Sequence, residues 1–233
     1  MPAPFLLNKE LIFPDPSLAM EEPDGLLAVG GDLSPQRLLF AYEHGIFPWY
    51  NEDEPILWWS PNPRAVLTPG MIHISRSLKK AIRKNHFTAT YDQAFAHVME
   101  ACAQPRAKQI GTWINEDILD AYITLHRLGH AHSVEIWQQQ RLVGGLYGIA
   151  IGRVFFGESM FSLESNASKA AFAFLGQCLK AWNYKLIDCQ VSSEHMSSLG
   201  ARDVPRPLFI KLLKRWCPLP PDKPAWSVAS STS

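Results

Sequence analysis

The stretch from Val154 to Val191 constrains this chain more than any other. Residues Val154–Phe161 (VFFGESMF) and Lys185–Val191 (KLIDCQV) are apolar runs of strand length, and Asn166-Ala-Ser-Lys169 opens a helical run between them that reaches about Trp182. A strand–helix–strand unit of this size packs as a crossover within one sheet. Each strand carries a carboxylate. At a period of two, Glu158 falls in one row with Val154, Phe156 and Met160. Asp188 and Gln190 share a face of the second strand, and Ile187, Cys189 and Val191 take the other. A bare carboxylate among apolar neighbours costs several kcal/mol unless it is paired or hydrogen-bonded. A partner or a functional site must offset that cost.

Charge narrows the function classes. The 233 residues carry 22 basic and 22 acidic side chains, so no global field draws the protein to nucleic acid. Any such affinity has to come from a local patch. One is present: from Pro55 to Tyr91 there is no Asp or Glu, and Ser75 caps a predicted helix whose outer face carries Arg76, Lys79, Lys80, Arg83 and Lys84. A solvated helix face and a phosphate-binding patch are both open readings of it. Cys102, Cys178, Cys189 and Cys217 form no CxxC pair, which fits reduced thiols of a cytosolic protein. The N-terminus lacks a basic start followed by a long apolar core, and no run approaches 18 apolar residues, so a secreted or membrane-spanning chain is not expected.

Turn formers fill residues 1–30. Ser34, Pro35 and Gly45 then mark the cap, first position and end of a helix. Aromatic residues follow (Ile46–Tyr50 and Ile56–Trp59), and Pro61 and Pro63 suggest a boundary. The expected domains are therefore a small N-terminal one at 1–62, a larger one at 63–217, and a loose tail at 218–233. Tyr91–Ala103 reads as a helix; a loop with Gly111-Thr-Trp113-Ile114 leads to Asn115, the cap of a helix ending at Gly129. Strands are expected at Ala131–Trp137 and Arg141–Ile151, with Gly144-Gly145 marking a bulge or a close approach. A short helix should end near Gly200, and Pro207 should open the last one, to about Trp216. From 131 onward the order is strand, strand, strand, helix, strand, helix. The fold class is α+β, with a mixed sheet flanked by helices, and the order matches the later part of a GNAT-like acyltransferase fold.

Several chemistries are declined. Gly157-Glu-Ser-Met-Phe161 lacks the second glycine of a nucleophile elbow. His130 and His132, with His126 nearby, offer no third ligand at a recognisable spacing, so no metal is expected. Cys189 adjoins Asp188, whose charge disfavours a thiolate. A CoA-dependent enzyme needs a glycine-rich turn whose N–H groups cradle a pyrophosphate, whereas Ser162–Ser168 has no glycine and adds Glu164. What remains is Glu158, Asp188 and Gln190 beside Leu146, Phe155, Met160, Phe172, Leu175 and Ile187. That is either a buried polar cluster tying two strands together or an apolar pocket with convergent polar groups.

Five blocks resemble the bacterial leucyl/phenylalanyl-tRNA–protein transferases: Gly25–Leu33, Gly45–Trp49, Leu57–Pro61 with Asn62–Val66, Gly157–Phe161 with Asn166–Lys169, and Leu186–Gln190. Gly111–Ile114 and Leu128–Ser133 add to the match, which runs from about Leu11 to Pro205. The resemblance implies a cytoplasmic enzyme without cofactor; a monomer without membrane partners is expected. It would move leucine or phenylalanine from leucyl- or phenylalanyl-tRNA to the N-terminal Arg or Lys of a protein, marking it for N-end-rule degradation. It also implies that Asp188 and Gln190 assist or position the attacking amine and that Glu158 orients substrate. Leu146, Phe155, Met160, Phe172, Leu175 and Ile187 would hold the aminoacyl side chain. Trp49 and Trp113 would stack the terminal adenosine, and Arg76, Lys79, Lys80, Arg83 and Lys84 would meet acceptor-stem phosphates. Family members carry methionine at position 146 and a leucine/phenylalanine pair at 172/175, so the pocket here differs in shape. A non-catalytic RNA-binding protein, using the basic helix and exposed tryptophans, is the rival of another class.

Overall fold

The computed structural model describes residues 3–104, 113–222 and 225–227. In chain order the elements are β1 (Phe5–Leu7), β2 (Leu26–Gly30), α1 (Pro35–Glu43), β3 (Phe47–Pro48), β4 (Leu57–Trp59), β5 (Arg64–Leu67), α2 (Arg76–Lys84), β6 (Thr88–Tyr91), α3 (Phe95–Ala103), α4 (Glu116–Arg127), β7 (Ala131–Gln138), β8 (Arg141–Ile151), β9 (Val154–Ser162), α5 (Ala167–Ala181), β10 (Leu186–Gln190), α6 (Glu194–Ser198), β11 (Arg202–Val204) and α7 (Arg206–Trp216). Helix starts follow the capping signals: the Ser34, Ser75 and Asn115 side chains accept the N–H groups of Arg37, Leu78 and Ile118.

Two sheets form. A small one has the order β1-β2-β4-β3, and a seven-stranded one has the order β11-β5-β10-β9-β8-β7-β6. In the larger sheet β9 and β10 are parallel and the other neighbours antiparallel, so the sheet is mixed, as the element order predicts. The core is continuous from one sheet to the other: Tyr42 of α1 packs on Phe156 of β9, ring centroids 5.2 Å apart.

Three features depart from the sequence reading, and at Gly144-Gly145 the second of its two alternatives, a close approach, holds. Thr88–Tyr91 is a strand paired with β7, and the helix begins only at Phe95; β-branched and aromatic residues beside a free edge pair more readily than they wind. Gly144 and Gly145 are not the bulge. The register shifts at Val143, and a Cβ on Gly144 would stand 2.5 Å from the Ala167 Cβ, so α5 lies close against the strand there. A second bulge falls on β9, where Tyr147 faces Ser159 and Gly148 faces Gly157, leaving Glu158 as the extra residue. The bulge breaks the period of two, so Met160 joins the side of Leu146 and Phe155 rather than the row of Val154 and Phe156. Finally, parts of the segment read as a loose tail are held in place. Arg153 binds Asp222 and the Pro220 carbonyl, and Trp226 packs among aromatic rings.

Candidate active site

Strands β9 and β10 pair from Val154–Leu186 to Phe156–Asp188 and then part. A pocket of about 910 Å³ occupies the opening. One lobe faces α5 and is walled by Leu146, Phe155, Met160, Phe172, Leu175 and Ile187, all six of the expected side-chain pocket. Glu158 and Asp188 line the same cavity, as do Trp49 and Trp113. Trp49 is 51% exposed, while Trp113 is half-buried. Gly111 and Thr112 of the same expected block lie outside the described residues. The five basic side chains of α2 are exposed and do not line the pocket; α2 packs on α5.

The carboxylates have partners that sequence reading missed. Asp188, fully buried, is gripped bidentately by the equally buried Arg64: Nε to Oδ1 at 2.8 Å and Nη2 to Oδ2 at 2.6 Å. Arg64 also donates to the Gly45 carbonyl and lies 4.7 Å from the ring centroids of Phe47 and Phe209. Such a planar fork suits a buried carboxylate better than a lysine would. The Gln190 N–H gives Asp188 a third hydrogen bond, 2.9 Å, although Gln190 sits at φ +61°, where an L residue is disfavoured by about 1–2 kcal/mol. Asp188 thereby holds Gln190 in a bent conformation.

That bend aims the Gln190 amide at the second carboxylate. Gln190 Nε2 donates to Glu158 Oε1 at 2.8 Å, and the hydroxyls of Tyr42 and Tyr122 approach Oε1 and Oε2 at 2.7 and 3.2 Å. The two hydroxyls are themselves 2.5 Å apart. Two phenolic protons therefore serve three O···O contacts, and a proton on Glu158 would serve the third. Burial pushes the Glu158 carboxyl up to about 7; the two tyrosine hydroxyls and Arg64 oppose the rise, and the Asp188 charge adds to it. Burial likewise raises Tyr42 and Tyr122 well above the usual phenol range. Burial and the Asp188 charge push the Cys189 thiol up, which agrees with declining it as a nucleophile.

Arg64, Tyr42 and Tyr122 left only weak traces in the sequence. Arg64 is the one charge between Pro61 and Ile74, and the tyrosines fall on the apolar faces of their helices.

The histidines gather differently from expectation. Asp92, His126 and His132 bring one ligand atom each within 4.8 Å of one another, with His130 outside the group. Hydrogen bonds engage these atoms. His132 Nδ1 meets Asp92 Oδ2 at 2.7 Å, His126 Nδ1 meets the Ala131 carbonyl at 2.8 Å, and Asp92 Oδ1 accepts the Ser133 N–H. The crossover has its own closure: Ser162 Oγ accepts the N–H of Ser168, in the first turn of α5. Among the described residues no helix is long and apolar enough to cross a membrane.

Comparison with known proteins places the chain. The family model described as leucyl/phenylalanyl-tRNA protein transferase matches residues 66–214, and the model for that family's N-terminal domain matches 31–62. The leucyl/phenylalanyl-tRNA–protein transferase of Cellvibrio japonicus is 54% identical over 221 residues, covering 95% of this chain and 94% of that one. That of Pseudomonas fluorescens is 57% identical over 216 residues, 93% and 96% of the two chains. Among solved structures, L-PGS from Bacillus licheniformis aligns at a TM-score of 0.39 and 11% identity, over 72% of this chain and 53% of that one. A GCN5-related N-acetyltransferase from Kribbella flavida aligns at 0.36 and 14%, over 74% and 61%. Likenesses that low carry no argument, and the fold rests on its own strand order.

Proposed function

The chain belongs to the leucyl/phenylalanyl-tRNA protein transferase family, and from that premise we propose which acceptor it uses and how its residues divide the work. The acceptor is the α-amine of a protein beginning with Arg or Lys, and the product is a substrate for N-end-rule degradation in the cytoplasm. The enzyme works as a monomer without a cofactor. Residues 1–62 and 63–217 form its two domains.

The observation that carries this reading is the meeting, in one cavity, of an apolar lobe and the Glu158 carboxyl, which is held by Tyr42, Tyr122 and Gln190. The donor's leucine or phenylalanine side chain fills the lobe between Leu146 and Ile187. Trp49 and Trp113 stack its terminal adenosine, and the basic face of α2 meets acceptor-stem phosphates. The aminoacyl ester is already activated, so most of the rate comes from placing a neutral amine against its carbonyl. As the C–N bond forms and the ester C–O bond breaks, the amine gives up a proton and the ribose oxygen leaves with one.

Glu158 is the group suited to take the amine proton. Asp188 has its oxygens committed to Arg64 and Gln190, so it acts by holding Gln190, and Gln190 orients Glu158. Arg64 also neutralises Asp188, which leaves Glu158 as the anionic partner for a cationic N-terminal residue.

The test is direct. Incubated with phenylalanyl-tRNA and a peptide beginning with Arg, the protein should add phenylalanine to that peptide's N-terminus, and a peptide beginning with Ala should stay unmodified. Intact charged tRNA with no transfer to the Arg peptide would sink the proposal.

A further inference from the structure

We propose that Trp226 is a positioning residue for the donor pocket, holding the Phe155 ring from behind and so setting the depth of the apolar lobe. The inference rests on the reading that this lobe takes the donor side chain.

On β8, a Cβ at Gly148 would stand 2.6 Å from the tip of the Phe155 ring and 2.2 Å from the Phe156 carbonyl oxygen. The Phe155 ring therefore lies over a notch that only glycine leaves open. Across the β7–β8 ladder the partner of Gly148 is His132. The His132 ring stacks on Trp226, with centroids 4.2 Å apart and planes 9° from parallel. Trp226 also stacks on Phe155, at 5.7 Å and 28°. The indole thus bridges the notch, with the histidine against it on one strand and the pocket phenylalanine on another.

Trp226 is itself fixed. Its Nε1 donates to the Tyr184 hydroxyl at 2.9 Å, and its ring packs 4.8 Å from Trp182. The next residue is tied as well: the Tyr91 hydroxyl donates to the Ser227 carbonyl at 2.7 Å. On the far side, Asp92 holds His132. Trp226 lines no part of the cavity, so any influence on substrate passes through Phe155.

A pocket wall discriminates between side chains only if it does not yield, because a one-methylene difference is worth just about 1–3 kcal/mol. Without the indole, the Phe155 ring loses the aromatic partner stacked on it and can lean away from the lobe. The lobe then deepens. Leucine, the shorter side chain, no longer reaches the wall, whereas phenylalanine follows it as it retreats. Loss of Trp226 should therefore penalise leucyl donors more than phenylalanyl donors.

The experiment compares KM and kcat for leucyl- and phenylalanyl-tRNA, with one Arg peptide as acceptor, in wild type, Trp226→Ala, Trp226→Phe and Phe155→Ala. For Trp226→Ala, kcat/KM should fall about tenfold for the leucyl donor and about twofold for the phenylalanyl donor, chiefly through KM. Trp226→Phe keeps a ring on His132 and should hold the donor ratio within about twofold of wild type. A merely structural Trp226 would lower Tm and cut both donors equally. An unchanged ratio in Trp226→Ala, with a shifted ratio in Phe155→Ala, overturns the inference and leaves the pocket reading standing. An unchanged ratio in Phe155→Ala overturns the pocket reading, and the inference with it. Should Trp226→Ala not fold, Trp226→Leu keeps bulk without a flat face, and the same ratio decides.

Discussion

The apolar lobe takes its six side chains from neighbouring elements between positions 146 and 187. The polar network beside it joins Tyr42, Arg64, Tyr122, Glu158, Asp188 and Gln190, drawn from α1, β5, α4, β9 and β10. The first is held by non-directional packing, in which each side chain contributes on its own. The second is a chain of directional bonds running Arg64–Asp188–Gln190–Glu158, where removing one member strands the next. The lobes should therefore fail differently: the network in stability and rate, the apolar wall in selectivity.

The sharpest way to break that contrast is Arg64→Ala. It leaves Asp188 buried without its counter-charge and should cost about 3–5 kcal/mol in urea unfolding. Replacing both partners, Arg64→Met with Asp188→Leu, should recover most of that stability and still not restore transfer. Recovery of transfer would remove the pair from the catalytic assembly.

Glu158 comes next. Its carboxyl lies at about 7 in the folded protein against an ordinary 4.5, so the native state binds the proton more tightly. The stability this contributes is fully present below about pH 4.5 and is lost as pH rises to about 7, a change of roughly 3 kcal/mol. Glu158→Gln should flatten that dependence, which chemical unfolding from about pH 5 to 8 would measure. The same change should cut transfer by about 100-fold or more and remove a rate increase centred near pH 7. A mutant whose pH–rate profile matches wild type would take the proton away from Glu158.

In the apolar lobe, Leu146→Met conserves volume and should cost under about 1.5 kcal/mol. Its mark should be a several-fold change in the leucyl-to-phenylalanyl ratio in the transfer assay. The smallest effect on stability belongs to the basic face. Lys79, Lys80 and Arg83 changed together to Ala should alter stability by no more than about 0.5 kcal/mol. They should instead weaken tRNA binding and flatten its salt dependence by roughly 0.7–0.9 log unit for each phosphate no longer neutralised. An unchanged slope would make α2 an ordinary solvated helix.

The contrast also explains what was legible. Five of the six apolar residues follow from strand and helix periods, which place side chains locally, and the family resemblance names all six. The sixth, Met160, falls by period with Val154 and Phe156, and one bulge at Glu158 turns it to the other face. Glu158 and Asp188 announced themselves as carboxylates in apolar strands. Their partners did not, because Tyr42 and Tyr122 read as core residues of amphipathic helices and Arg64 as a charge between turns.

The α+β order of elements, the parallel crossover, the helix caps and the family are legible from residues alone, because each depends on neighbours in the chain or on residue identity. Packing between distant segments sets which charge answers Asp188, how burial raises the Glu158 carboxyl, and that Trp226 stacks on Phe155. Each of those depends on desolvation and packing between segments far apart in sequence, and neither burial nor a long-range hydrogen bond has a periodicity to read.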